Sequence, residues 1–378
     1  MARRRGNNEG SLYQRKGGLW CAQVSLEGRR LTKYGKTQKE CREWIRQIRT
    51  KIEGGLTFQG TQLTLERFVR TWLSNKKLSR RPGTVHSYQR IAERDFLPHL
   101  GKMRLQDILP GHIKQLYALM QEEGKGPRTI QLAHVVLHAV LKQAVREGIL
   151  GRNPMDAIDR PRVETATFQI LNEEQVRQLM IFASESPYET LFYLALTTGM
   201  RKGELLGLQW SDIDWDRRVL NVHQQLQIIP GKGYALVAPK TKAGHRHIKL
   251  GAGTIKQLES HQKHQELEKA VAGRRWQEHE LLFTTGIGTY MDQTKVSREL
   301  KRLLKKAGLP DIRFHDLRHT SISFQLEMGT SLNTVQQRAG HSKASVTSDI
   351  YGHTLEHSQD VAAEKIEELV TPIAVHLQ

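Results

Sequence analysis

Cysteine is nearly absent from this 378-residue sequence, acid is scarce against base, and no long apolar run occurs. Each shortage removes a class of protein. The two cysteines, Cys21 and Cys41, share one small N-terminal segment, so spacing alone would allow a disulfide between them. The opening MARRRGNNEGS carries charge but no apolar stretch of the kind a secretion signal needs, so both thiols are expected reduced, in a cytoplasmic protein. No stretch nears the roughly 20 apolar residues of a spanning helix, and no amphipathic anchor helix is found, so no membrane partner is expected. CxxC and HExxH spacings are missing and the 17 histidines are scattered, so no metal site is expected. There is no GxxxxGK(S/T) phosphate loop and no acidic cluster suited to two Mg²⁺ ions, so no cofactor is expected either. Internal repeats and low-complexity tracts are also missing.

What is present is base. Lys and Arg number 58 against 39 Asp and Glu, a formal net charge of +19. Such a field favours a polyanionic partner, nucleic acid first. Hydrophobic content of 38% and charged content of 26% fit soluble globular domains. The length exceeds one ordinary core and points to two or three domains.

Residues 1–58 hold fourteen Lys/Arg and five Glu, a net of +9, about half of the excess charge. Arg3, Arg4 and Arg5 open as a basic arm. Three β-prone runs follow, Ser11–Gln14, Trp20–Leu26 and Arg30–Tyr34, separated by the turn signals Gly17-Gly18 and Glu27-Gly28. Thr37 with Glu40 three residues on forms a capping box for a helix whose stripe is Cys41, Trp44, Ile45, Ile48 and Ile52. A three-stranded sheet with basic faces, carrying Arg29, Arg30 and Lys33, suits a groove of double-stranded DNA. A polar linker then leads to residues 63–158, which read as a four-helix bundle. Its helices carry Leu65, Phe68, Val69 and Trp72; Tyr88, Ile91 and Phe96; Ile113, Leu116, Tyr117 and Met120; and, from Pro127 to near Gly148, Ile130, Leu137, Leu141 and Val145. Lys76, Lys77, Arg80 and Arg81 make a basic run there that can track phosphates.

Asn153-Pro154 ends the bundle, and a polar connector leads to residues 170–378. Helices are expected at 173–184 and Tyr188–Thr198, strands over 218–228 and 234–250, and a surface helix over Thr254–Ala272. The fold class is thus multidomain, mainly α with small β-sheets. Two clusters carry chemistry. Arg201, just after the helix-breaking Gly199, has Glu204 at i+3, close enough for the carboxylate to orient the guanidinium. The segment His315–Tyr351 then packs two imidazoles, a cation and a phenol into a helix-rich stretch. His315 and Arg318 share one helix face, while Leu317 and Phe324 turn to a core. Leu332, Val335 and Ala339 form a second core stripe that ends at Gly340, and His341 follows at a helix terminus. Ser342 caps the next short helix, which ends near Tyr351. Cations, imidazoles and a phenol together suit a phosphodiester.

The segments TTGMRKGELLGL, HDLRHT and AGHSKASVTSDIYGH, in this order, resemble the boxes of the tyrosine recombinases, the phage-integrase family. The helical region ending VLKQAVREGILGRNP resembles the family's core-binding domain. The N-terminal strands and helix resemble the arm-binding domain of lambda-type and conjugative-transposon integrases. The resemblance implies three domains: arm-binding, 1–58; SAM-like core-binding, 63–158; catalytic with a C-terminal tail, 170–378. It implies that Arg201 and Arg318 clamp the scissile phosphate, that Tyr351 is the nucleophile, that His315 holds the family's acid–base or hydrogen-bonding position, that His341 holds the position often occupied by His or Trp, and that Glu204 supports the site. Lys240 in the PKTKAGHR turn matches the lysine that protonates the leaving oxygen, with Lys242 as the alternative. His319 is read as structural. Ala339 stands where such boxes usually carry Leu, which affects packing rather than chemistry. Also implied are a homo-tetramer on DNA, core and arm sites, a Holliday-junction intermediate, accessory DNA-bending or excision proteins, and work at the bacterial nucleoid. The tail, with Val361, Ile366 and Val370 as its stripe, packs either on its own domain or on a neighbouring protomer. A type IB topoisomerase and a catalytically silent DNA-binding regulator are the alternatives. The first has no need of an arm domain, and the second would most simply have lost Tyr351 or an arginine.

Overall fold

The structure, a computed structural model, describes residues 10–15, 17–26, 29–53, 63–163, 169–239 and 242–340. Its contacts divide the chain into two units, Met1–Thr165 and Ala166–Gln378.

In the first unit, β1 (Ser11–Gln14), β2 (Trp20–Leu26) and β3 (Arg29–Gly35) form an antiparallel sheet in that order. Gly18, at φ 80°, closes the first hairpin by donating its N–H to Arg15 O at 2.9 Å. Strand periodicity puts Ala22 and Val24 on one face, where they are buried; their partners in β3 are Lys33 and Leu31. α1 (Gln38–Glu53) covers that face with the stripe from Cys41 to Ile52. Its cap is only half of the expected box. Thr37 Oγ1 accepts from Glu40 N at 3.2 Å, but the Glu40 carboxylate turns to the Lys33 ammonium, 3.1 Å away. Both cysteines are buried and free of any disulfide.

The bundle has five helices rather than four. α2 (Leu65–Lys77) and α3 (Pro82–Ile91) are followed by a π-turn, Ala92–Phe96, then α4 (Leu97–Leu100), α5 (Pro110–Glu122) and α6 (Pro127–Arg146). The break has a local cause. Pro98 has no N–H with which to continue an α ladder, and the Leu97 N–H reaches back to Ala92 O instead. The core is Phe68, Trp72, Phe96, Leu137, Leu141 and Met155, all buried, with Tyr88 stacked on Trp72 at 5.5 Å.

In the second unit, α7 (Glu173–Ala183) starts from a reciprocal Asn172–Gln175 capping box, and α8 (Glu189–Thr198) stops at Gly199, which is left-handed at φ 66°. The single-turn α9 (Lys202–Leu205) follows at once. Next come β4 (Ile213–Asp214), β5 (Val219–Val222), β6 (Gln225–Ile229), β7 (Gly233–Val237) and β8 (Arg246–Lys249). The two long strands expected over 218–228 and 234–250 are therefore four short ones. They lie in two sheets, β4-β5-β8 and the hairpin β6-β7. The chain leaves the first sheet at His223 and Gln224, which bond sideways to Asp212 and to Gly207 O. It then passes against Gly207, where a Cβ would stand 2.8 Å from Leu226 N, so only glycine admits the crossing.

α10 (Ala252–Ala272) is the expected surface helix, with one difference. It is bound to the unit by polar side chains as well as by buried Leu258. Gln265, itself buried, donates to Leu281 O, Leu282 O and Thr284 Oγ1 and accepts from Trp210 Nε1. α11 (Gln293–Lys306) packs Val296, Leu300, Leu303 and Leu304 inward. α12 (Phe314–Glu327) is buried around most of its circumference and packs on α8 through Phe314 and Phe192, 6.2 Å apart. Leu317 enters the main core. Phe324, expected beside it, is only half-buried; Ile322 and Leu326 pack instead with Val335 and Ala339 of α13 (Leu332–Ala339). α13 ends at Gly340, left-handed at φ 70°.

Candidate active site

Arg201 is the N-cap of α9, so its backbone N–H and its side chain both lie within reach of the residue three positions on. Glu204 Oε2 accepts from Arg201 N at 3.0 Å, and Oε1 accepts from Arg201 Nη1 at 2.8 Å. Glu204 is only 2% exposed. Burial alone would raise its carboxyl pKa. The hydrogen bond and charge of Arg246, and then Arg201, outweigh that and hold it down at about 2. The carboxylate is therefore charged at neutral pH and orients two guanidiniums at once.

Arg318 projects from α12 and is 2% exposed. Its Nη1 donates to Gly199 O and its Nη2 to Ala339 O, each at 2.7 Å. Arg201 Nη2 donates to the next carbonyl, Gly340 O, at 3.1 Å. Arg246, from β8, donates through Nε to the preceding one, Arg338 O, at 2.6 Å. Three successive carbonyls at the end of α13 thus each accept from a different arginine. The last carbonyls of a helix have no partner within it and carry partial negative charge, which is why cations gather there. The close fit depends on Gly340, since a Cβ there would lie 2.9 Å from Ala243 O and 3.0 Å from Arg246 Nη1.

His315 opens the same helix as Arg318 and reaches solvent. Its ring meets that of His319 edge-on, with centroids 5.0 Å apart. The surrounding protein, then His319, Arg318 and Arg201, push its pKa down to about 4. It is a neutral imidazole at pH 7. His319 is shifted the same way by burial.

The structure therefore brings together Arg201, Glu204, His315 and Arg318. His341 and Tyr351 lie outside the described residues, as do Lys240 and the side chain of Lys242. What is described of the β7–β8 connection that carries them is its two ends, where Gly244 lies against Pro239 so closely that a Cβ would stand 2.3 Å from the ring. Among the basic residues, Arg3, Arg4 and Arg5 also lie outside. Arg29 opens β3. Arg30 is exposed on the sheet face opposite α1, alongside Tyr34, over which Arg15 sits at 5.3 Å. Lys33 departs from the expected basic face: it lies on the α1 side, paired with Glu40, because three positions along a strand reverse the face. Lys76 packs over Trp72 at 5.4 Å, while Lys77, Arg80 and Arg81 are exposed around the turn from α2 to α3.

Sequence reasoning missed Arg246. The signal was there: Arg246 shares the buried phase of β8 with Ile248, and a charge at a core position implies a partner. Among the described residues, no group of three His, Cys, Asp or Glu could hold a metal ion. No helix of the described residues is long and apolar enough to cross a membrane.

Residues 169–357 match the phage integrase family, and residues 64–120 match the phage integrase N-terminal SAM-like domain. The chain is 31% identical over 357 residues to a protein named tyrosine recombinase XerC-like from Caldanaerobacter subterraneus, covering 89% of this chain and 91% of the relative. The fold is shared with the Tn1549 transposon integrase in complex with a circular intermediate DNA (TM-score 0.68, 22% identity, 80% of this chain and 99% of that one). It is shared too with a lambda integrase tetramer bound to a Holliday junction (TM-score 0.58, 20% identity, 92% of this chain and 97% of that one).

Proposed function

The chain belongs to the phage integrase family and is a tyrosine site-specific recombinase acting on DNA, and from that premise we propose how its residues divide the work. Tyr351 attacks the scissile phosphodiester. Its phenolic oxygen bonds phosphorus, the 5′ oxygen leaves, and a 3′-phosphotyrosyl link remains. The leaving oxygen takes its proton from Lys240, with Lys242 as the alternative. A 5′-hydroxyl of another strand then attacks phosphorus, releases the phenol and rejoins the DNA. Each step exchanges one phosphoester for another, so the bond energy is conserved.

The observation that carries this reading is the convergence of Arg201 and Arg318 on adjacent carbonyls, Gly340 and Ala339, immediately before His341. Two fixed cations at one point suit a transferring phosphoryl group, whose charge spreads over its oxygens. His315, neutral at pH 7 in the DNA-free protein, can donate a hydrogen bond to such an oxygen or accept the Tyr351 proton. His341 supplies the second imidazole.

The remaining assignments form one picture. Residues 1–58 bind arm sites through Arg3, Arg4, Arg5, Arg29 and Arg30. Residues 63–158 bind the core site, with Lys76, Lys77, Arg80 and Arg81 on phosphates. Residues 170–378 cut and rejoin, integrating or excising a mobile element in the cytoplasm at the nucleoid. Four copies assemble on paired sites, as lambda integrase does on a Holliday junction. The tail docks on a neighbouring protomer, and DNA-bending or excision proteins set the direction.

The test is to trap the protein on nicked duplexes made from the DNA flanking its own gene and to sequence the trapped junctions. Tyr351→Phe should bind the same DNA and form no covalent adduct; adduct from that variant would mean the nucleophile is wrong. Adducts scattered without a preferred sequence, and no joints between two sites, would favour a topoisomerase.

A further inference from the structure

Of the three arginines that donate to the carbonyls at the end of α13, Arg246 is the one without a part in the scheme above. It is 8% exposed, deeper than Arg201, and it stands in β8 opposite Val222 of β5, so its backbone is fixed on a sheet. Its guanidinium reaches three separate segments. Nη2 donates to Glu204 Oε2 at 2.9 Å, Nε donates to Arg338 O at 2.6 Å, and Nη1 makes a longer contact with Gly244 O at 3.4 Å. Through Glu204 it is joined to Arg201, giving a row of cation, anion and cation, of which only Arg201 reaches the surface appreciably.

We propose that Arg246 is a positioning residue of the recombination site: it fixes Glu204, and through it the Arg201 guanidinium, to the C-terminus of α13 and to the Gly244 end of the β7–β8 connection. The inference rests on the assignment of Arg201 to the scissile phosphate and extends it. Glu204 Oε2 accepts from Arg201 N on one side and from Arg246 Nη2 on the other, so with Arg246 in place that oxygen is fixed from two directions and Oε1 has one orientation left in which to hold the Arg201 guanidinium. The same guanidinium ties the Arg338 carbonyl, three residues before His341 in the sequence, and the Gly244 carbonyl, two residues after Lys242. One side chain therefore sets the spacing among three parts that arrive from distant stretches of the sequence. Lysine cannot replace it, because a single ammonium cannot form the planar fork that spans a carboxylate and a carbonyl in different directions.

The experiment is a double-mutant cycle in the full chain on a nicked substrate, reading the single-turnover rate of covalent adduct formation and, separately, DNA affinity and the urea midpoint. Arg246→Gln should lower the adduct rate by about tenfold or more, with DNA affinity unchanged. In the Arg201→Lys background the same change should cost less than about twofold, because the group it positions is already impaired. Should Arg246→Gln unfold at low urea, Arg246→Lys takes its place in the cycle. A wild-type rate for the variant, or losses that simply multiply in the double variant, overturns the proposal. Tyr351→Phe is run alongside: adduct from it would mean that the underlying assignment has failed, whereas a dead Tyr351→Phe beside a fully active Arg246→Gln would fault the positioning role alone.

Discussion

Glu204 grips Arg201 twice, through the backbone N–H at 3.0 Å and through the guanidinium at 2.8 Å. The residue that caps α9 is thus the residue whose side chain must be aimed, and one carboxylate does both. Removing its charge should be felt in folding as well as in catalysis. Glu204→Gln keeps the shape but leaves the Arg246 guanidinium, 8% exposed, without its counter-charge, and should cost about 3 kcal/mol at neutral pH. The pH dependence has a definite sign. The folded pKa is depressed, to about 2, so the stabilisation is fully present above the ordinary carboxylate range and is lost as pH falls through about 2. Urea melts of wild type and variant should therefore differ most at pH 7 and converge steadily below about pH 4. A gap that stays constant with pH would mean that the charge is not what stabilises.

His315 makes an opposite use of its surroundings. Its neutral form is favoured, with a pKa near 4. Whatever stability this shift contributes is complete above about pH 6.5, the ordinary histidine value, and is lost as pH falls toward 4. In the DNA-free protein, the His315 ring resonance in a histidine-labelled NMR titration should stay in its neutral position down to about pH 5, when exposed histidines have already moved. Assignment comes from the resonance missing in His315→Gln. A midpoint near 6.5 would mean that the surroundings do not hold the ring neutral.

How much of this was legible in the sequence depends on what carried each feature. The alternation and turns of residues 11–35 and the helix stripes of the bundle are local patterns, and the strands and helices stand nearly where those patterns put them. Arg201 with Glu204, and His315 with Arg318, could be paired because each couple lies within one turn. Two kinds of feature were hidden. The first is long-range polar contact: Arg246 meets Glu204 and Arg338 across 42 and 92 positions, and no local period encodes that. The second is burial of polar side chains. α10 buries Gln265 and binds through amide and imidazole bonds, so the apolar stripe that announces a buried face is missing. The split of the sheet at His223 belongs to both kinds, since it follows from the close passage of β6 over Gly207.

Gly340 tests whether the convergence of arginines needs its tight seat. Gly340 and Gly308 have nearly the same left-handed backbone, φ 70° and 65°. A Cβ on Gly308 would meet nothing within 4 Å, whereas one on Gly340 would press on Ala243 O and Arg246 Nη1. Gly308→Ala should cost the backbone strain alone, about 1 kcal/mol, and leave cleavage intact. Gly340→Ala carries the same strain and must also displace the Ala243 backbone or Arg246. It should lose at least twice as much stability, about 2 kcal/mol or more, and slow adduct formation in addition. Equal melting midpoints and equal cleavage rates for the two variants would show that the seat is loose.

The last prediction concerns the proton that the leaving oxygen requires. Lys240 and Lys242 lie two residues apart in the sequence, in the connection between β7 and β8, so sequence position alone does not choose between them. Chemistry can. An alkoxide is a poor leaving group and needs the proton during bond breaking, while a thiolate, of pKa near 8.5 to 10, leaves without it. On an ordinary nicked substrate the true acid's alanine variant should be slower by about 10²-fold or more. On the same substrate with sulfur in place of the bridging 5′ oxygen, that variant should cleave at close to the wild-type rate, since the step it assists no longer needs assistance. A lysine that only contacts phosphate would show the same deficit on both substrates. Lys240→Ala is expected to be the rescued variant and Lys242→Ala the unrescued one. Rescue of Lys242→Ala alone would move the assignment by two residues, and rescue of neither would place the acid elsewhere in the site.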